Sequence, residues 1–273
     1  MNCPLCKSSN IKNLEIIKKN KLIFLYKRYF KVDVSYLIKE NISYNECVIC
    51  GLKFFSPLIT GDEKFYNSLQ KYDWYYMEEK EEYQYAKKYI TNNDRVLEVG
   101  SGKGVFTKYI NPLEYIGLEF SKNAKEMAKE RGIKIENESI EEYAKKYPEY
   151  FDVVVSFQVL EHVANPNNFI ESKLKALRKG GKMIIGVPSE DSFLKYQVNG
   201  ILNMVPHHTT RWTDQTLKYV AKIFNLEIIE IYHERLSENH KKTFLFTLIR
   251  NFFPNNKKIV NISLTNKIFS LFL

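Results

Sequence analysis

The chain has 273 residues with 41 Lys/Arg against 32 Asp/Glu, a net charge of +9, and 44% of its residues are hydrophobic. That content supports a packed core and excludes a disordered chain, and the length allows one ordinary domain plus a small appendage. No apolar run reaches the roughly 18 residues of a membrane span, and the start, Met1-Asn2-Cys3-Pro4-Leu5-Cys6, lacks a charged-then-apolar leader pattern, so a cytoplasmic protein is expected.

All four cysteines fall in two pairs, Cys3/Cys6 and Cys47/Cys50. Each Cys-x-x-Cys can grip a metal ion from a tight knuckle, and two knuckles complete a tetrahedral thiolate site with no open position. A structural Zn2+ is therefore expected in a module over residues 1–60. The alternating stretches 22–26 and 31–37 read as short strands of a zinc ribbon. Disulfides are not expected without a secretion signal. Residues 61–93 read as a helical linker, with Gly61-Asp62 opening a helical stretch and another helix over 78–90. The aromatic cluster at 72–76 has neither helical nor strand period; it reads as packing or as a lid over a ligand.

Residues 96–99 are an apolar run suited to a parallel strand covered on both faces. Gly100, Gly102 and Gly104 then allow a sharp turn and close approach of a ligand, and residues 105–110 continue as a helix whose first N–H groups face it. The next apolar stretch ends at Glu119, nineteen positions after Gly100, where the hydroxyls of a nucleoside ribose need an acid. The spacing is Gly-x-Gly-x-Gly rather than Gly-x-Gly-x-x-Gly, and Glu98 precedes it. A carboxylate there repels a pyrophosphate but suits a cation. S-adenosylmethionine (SAM) offers a ribose for Glu119 and an ammonium and sulfonium for the acidic side. Glu98-Val99-Gly100-Ser101-Gly102-Lys103-Gly104, followed by that acid, resembles the first motifs of class I SAM-dependent methyltransferases.

Beyond Glu119 the pattern alternates regularly. Ser121 caps a helix over 123–131 that Gly132 stops. A strand at 133–136, a helix at 140–146 and a buried strand at 152–156 follow. Asn165-Pro166 starts a helix running to residue 178. Residues 179–181 end it before a strand at 182–187. A helix at 214–224 and strands near 226–232 and 243–249 complete an α/β, doubly wound, mostly parallel seven-stranded Rossmann-like sheet, with the small zinc-ribbon-like module in front. The expected SAM-binding domain is 94–250. Residues 251–273 form a basic apolar tail, in which 264–273 could be an amphipathic helix.

Residues 151–163 resemble the fourth-strand motif of these methyltransferases, and residues 177–185 their turn into strand five. Pro206-His207-His208-Thr209-Thr210-Arg211-Trp212 is similar to a segment of the subgroup that includes ubiquinone-pathway O-methyltransferases and sugar methyltransferases, some with an N-terminal zinc module. The resemblance covers most of residues 3–235. It implies cofactor contacts from Glu98, Gly100, Ser101, Gly102, Gly104, Glu119, Phe120 and Gln158, with Ser139 and Ile140 bordering the adenine. In the Asn137–Ile140 stretch the family's aspartate is replaced by Glu138 or Ser139.

Methyl transfer needs an aligned acceptor and often a base. Imidazole, with an unperturbed pKa near 6.5, is the natural one at neutral pH. Of the five histidines, His162 follows strand four, while His207 and His208 lie in the long 188–213 connection. His208 is the expected base, with His207 and His162 as alternatives. Arg211 suits a phosphate or carboxylate on the acceptor, or caps the next helix. The charge is uneven: residues 1–60 and 239–273 each carry +6, and residues 61–238 carry −3. The ends read as solvated lysines or as a face for an anionic partner. The leading expectation is transfer to a small-molecule acceptor, anionic or nucleotide-linked, such as a sugar metabolite of surface-polysaccharide biosynthesis. An RNA methyltransferase and a non-catalytic SAM-binding assembly protein are the alternatives. Nucleic acid is not expected on the acidic core, and contact with a membrane surface would be weak at most.

Overall fold

The computed structural model describes residues 1–69, 71–72, 80–236, 241, 244, 245, 247 and 258–260. The chain divides into two compact units, one made of residues 1–69 with 188–273 and the other of residues 70–187.

The first unit is built on a four-stranded antiparallel sheet. Strands β1 (Ile11–Ile17), β2 (Ile42–Cys47) and β3 (Lys53–Ser56) lie side by side, and β9 (Thr210–Arg211) completes it from far along the chain, pairing Lys53 with Arg211 and Phe54 with Thr210. Helix α1 (Lys19–Phe30) is inserted between β1 and β2. It occupies the 22–26 stretch expected as a strand. Over five residues an alternating pattern also satisfies helical spacing, and here Leu22, Leu25 and Tyr26 are buried while Phe24 is exposed. The 31–37 stretch is likewise not a strand: Lys31 ends α1 in the left-handed region, and a turn follows. Helix α2 (Glu63–Leu69) opens at the expected Gly61-Asp62, where the Phe65 N–H donates to Asp62 Oδ1 at 2.8 Å. Helix α7 (Asp214–Ile223) is capped by Thr213, whose hydroxyl accepts from the Thr216 N–H.

The second unit is the α/β layer. It carries α3 (Glu81–Ala86), β4 (Arg95–Val99), β5 (Glu114–Leu118), α4 (Lys122–Lys129), β6 (Ile135–Glu136), α5 (Ile140–Lys146), β7 (Phe151–Phe157), α6 (Pro166–Ala176) and β8 (Leu177–Gly186). The sheet is parallel in the order β6-β5-β4-β7-β8. Strand order reverses between β4 and β7, so the ligand crevice of such a sheet lies at the carboxyl ends of those two strands. Ser121 caps α4 by accepting from the Ala124 N–H, and Gly132 follows it with φ +71°; Asn165 and Pro166 open α6. Residues 105–108 wind as a single 3-10 turn rather than the α-helix expected there.

Among the described residues, five parallel strands stand where seven were expected. Residues 226–232 form no strand, and Ile228, Ile229 and Tyr232 are exposed. Apolar alternation makes a strand only where a sheet edge is offered to it. Of the proposed 243–249 strand, residues 244, 245 and 247 are helical and the rest lie outside the described residues. So do positions 73–76 of the aromatic cluster, His240 and the 264–273 helix.

Candidate active site

The glycine loop is pinned over the end of β5. The Gly100 and Ser101 N–H groups both donate to the Leu118 carbonyl, at 2.8 and 3.0 Å. Gly100, Gly102 and Gly104 have φ of +75°, +53° and +69°. A Cβ on Gly100 would stand 2.3 Å from Val159 Cγ2, whereas one on Gly102 would meet nothing within 4 Å. The loop is therefore packed from behind at Gly100 and open at Gly102. Gly117 of β5 leaves the room for Ser101, whose Oγ would lie 2.5 Å from an added Cβ.

Glu119 sits beside that opening. Its two carboxylate oxygens accept from the Gly102 N–H at 3.0 Å and the Ser121 N–H at 2.8 Å. A carboxylate has about four acceptor positions, so two remain for a vicinal diol. Phe120 is exposed, and the Asn137 side chain holds the segment by donating to the Glu119 and Phe120 carbonyls at 2.8 Å. Ser139 caps α5, accepting from the Glu142 N–H, and Ile140 is buried beside it.

The acidic side is richer than its sequence suggests. Glu98 is buried and accepts from the Tyr115 hydroxyl. Burial pushes Glu98 up to about 8, against the pull of that hydrogen bond and of Lys80. Gln158, at φ +56°, donates its side-chain N–H to Glu82 Oε2 at 3.0 Å, while its backbone N–H holds the Gly186 carbonyl. Glu82 in turn lies 3.4 Å from the Lys80 ammonium. Glu161, in the turn after β7, is buried, and burial pushes it up to about 8. Sequence reasoning did not single out Glu82, Lys80, Tyr115, Asn137 or Glu161. Glu82 belongs to a charged run at 78–82 in which no residue stands out, and only the fold brings it to Gln158.

A family model described as a methyltransferase domain matches residues 71–231. The chain belongs to this methyltransferase family. Among curated relatives, it is 39% identical over 115 residues to the uncharacterized protein MJ1123 of Methanocaldococcus jannaschii, covering 42% of this chain and 54% of that protein. It is 31% identical over 127 residues to a ubiquinone biosynthesis O-methyltransferase of Proteus mirabilis, covering 42% and 52%. The chain thus spans about half the length of these relatives. Among solved structures, a SAM-dependent methyltransferase from Archaeoglobus fulgidus superposes with a TM-score of 0.44 at 17% identity, covering 65% of this chain and 85% of that one.

The residues at the methyltransferase's glycine loop fit the SAM expected of the family. Glu119 keeps acceptor capacity for ribose hydroxyls, Gly102 leaves space for close approach, and Glu98, Glu82 and Gln158 supply acceptors for an ammonium.

The other predicted residues lie as follows. His162 is in the turn after β7, with Nε2 3.8 Å from Glu161 Oε1. In the first unit, His207 and His208 are buried and stacked ring on ring at 4.6 Å; His207 Nδ1 is 2.8 Å from the Leu202 carbonyl. Arg211 is also buried, with its guanidinium against the rings of Tyr44 and Phe55, which stack on each other. Its Nε donates to the Asn203 carbonyl at 2.9 Å, and its Nη1 lies 3.5 Å from Glu190, which also accepts from Lys53 at 3.2 Å. Its charge is met inside the protein. The four cysteine sulfurs lie within 4.8 Å of one another, with Cys3–Cys50 and Cys6–Cys47 at 3.5 Å. Tetrahedral zinc with Zn–S near 2.3 Å sets its sulfurs about 3.8 Å apart, so the cluster fits that ion with little adjustment.

Proposed function

We propose that this methyltransferase moves the methyl group of SAM to a small-molecule acceptor, a sugar or sugar-linked metabolite, with His208 taking the acceptor's proton. The observation that carries the donor is the Gly100–Gly104 turn with Glu119 bonded to its Gly102 N–H. Bound SAM supplies a methyl on a sulfonium, an already good leaving group, so the chain's work is alignment, exclusion of water and proton removal. Glu119 holds the ribose end and the Glu98–Gln158 side holds the amino-acid end. His208, buried and stacked on His207, is the imidazole to which this reading gives the acceptor's proton. The small-molecule reading is supported by the relatives named as ubiquinone biosynthesis O-methyltransferases and by the net −3 of residues 61–238, which disfavours an RNA backbone. The four cysteines hold one structural Zn2+, and metal analysis of the purified chain should return close to one zinc.

The test is transfer of a labelled methyl from SAM into a small-molecule extract and into total RNA. Label in the first supports the reading; label in RNA alone overturns it. His208→Ala should lose most turnover and keep SAM affinity, and unchanged turnover would remove His208 as the base.

A further inference from the structure

Tyr26 stands on the buried face of α1, far along the chain from the histidines, yet both belong to the first unit. Its hydroxyl is shared between the Ile201 carbonyl at 2.8 Å and the Met204 carbonyl at 3.1 Å. The two carbonyls between these are held as well. That of Leu202 lies 2.8 Å from His207 Nδ1, and that of Asn203 accepts from Arg211 Nε at 2.9 Å. Met204 also accepts from the backbone N–H groups of His207 and His208, both at 3.0 Å. Every carbonyl from 201 to 204 is thus gripped by a side chain, and buried backbone acceptors are costly to leave unmade, so the grip fixes where this turn sits. A carbonyl can only accept, so the bond to Leu202 puts the proton of a neutral His207 on Nδ1. The ring is confined on its faces too. His208 stacks on it at 4.6 Å and 22°, Phe65 of α2 lies 6.2 Å away, and Phe65 stands edge-on to Tyr26 at 5.8 Å.

We infer that Tyr26 is a positioning residue for methyl transfer: its hydroxyl holds the turn at 201–204 so that His207 keeps the Nδ1–H form and lies flat against His208, which sets the plane of the base. The inference rests on the reading of His208 as base above. A base acts only within hydrogen-bond reach and at the right angle, and a misplacement of ~1 Å can cost ~100-fold in rate. The hydroxyl acts on the setting of the turn rather than on its existence. Without it, Ile201 still accepts from the Met204 N–H at 3.1 Å, and Met204 from the two histidine N–H groups.

The experiment is long-range nitrogen–proton NMR on the full chain with isotope-labelled histidine, at about pH 8, where an imidazole of ordinary pKa is neutral. It is paired with transfer of labelled methyl from SAM into the small-molecule extract. Wild-type His207 should carry its proton on Nδ1. Tyr26→Phe keeps the ring against Phe65 and removes only the hydroxyl. It should give a mixture of His207 tautomers and lower transfer by about 10-fold or more, with SAM affinity unchanged. Leu22→Ala, one turn earlier on α1 and equally buried, should lower the unfolding midpoint yet leave the tautomer and the transfer as they are, which a merely structural role for Tyr26 would not distinguish. A wild-type His207 protonated on Nε2, or Tyr26→Phe with wild-type tautomer or wild-type transfer, overturns the inference. Should Tyr26→Phe fail to fold, the wild-type spectrum decides. A Tyr26 hydroxyl proton protected from exchange, together with His207 protonated on Nδ1, supports the inference, and the lack of either overturns it. Undiminished transfer by His208→Ala would instead refute the base, and because the tautomer is read without any acceptor, that failure is separate from this one.

Discussion

At Gly100 and Gly102 the same backbone region serves two purposes. Gly100 has φ +75°, and an added methyl would collide with Val159; Gly102 has φ +53° and open space beside it. Gly100→Ala should therefore cost about 1–3 kcal/mol of stability from strain and clash together, visible as a lower unfolding midpoint. Gly102→Ala should cost about 1–2 kcal/mol for the left-handed backbone alone and weaken SAM binding because its methyl fills the approach. Equal stability losses with equal affinities would refute this division. These glycines and Glu119 were legible because positive φ and a strand-end acid leave a mark at fixed spacing. Glu82, Tyr115 and Lys80 were not, since an ordinary Glu, Tyr or Lys becomes part of a site only through what folds against it. Arg211 shows the converse: its residue type suggested an anion, but Glu190 already meets its charge.

Among the elements, those bounded by side-chain caps were read closest to their true limits. Ser121, Ser139, Asn165 and Thr213 each accept from a backbone N–H three residues on, and α4 to α7 start there. Short alternating stretches were misread at 22–26 and 226–232, because five to seven residues do not separate strand from helix or from unpaired chain. Helix α6 carries a buried cation invisible to periodicity. Lys173 donates to Ser156 Oγ at 2.7 Å and to the Ile184 carbonyl at 3.2 Å, and burial draws it down to about 7. Unfolded, the amine holds its proton up to about 10.4. The unfolded chain thus binds the extra proton between pH 7 and about 10.4, so the folded protein gains stability as pH rises through that window, by at most about 1.4 kcal/mol per pH unit. Lys173→Met should remove this slope, with its stability relative to wild type highest below pH 7 and declining above it. Urea unfolding over a pH series measures the difference; parallel curves would exclude Lys173 as its source.

At the scale of the whole molecule, the first unit is assembled from the two ends of the described chain. Lys53 and Phe54 pair with Arg211 and Thr210, the Tyr26 hydroxyl donates to the Ile201 and Met204 carbonyls, and Gly51, next to Cys50, packs near Thr216. Removing the proposed zinc from the cysteine cluster should therefore lower amide protection in residues 1–69 and in 188–224 together, as hydrogen exchange would report. Loss confined to the first 60 residues would refute that coupling. Among the described residues no helix is long and apolar enough to cross a membrane. Residue order alone carried the glycine turn, the caps, the cysteine pairs and the parallel α/β pattern, because each depends on local backbone preference or on period. Packing decided the five-strand limit, the return of β9 to the N-terminal sheet, the internal pairing of Arg211 and the meeting of Glu82 with Gln158. Those contacts join positions tens to more than a hundred residues apart, and no local preference encodes a contact whose partner is chosen only when the chain has closed on itself.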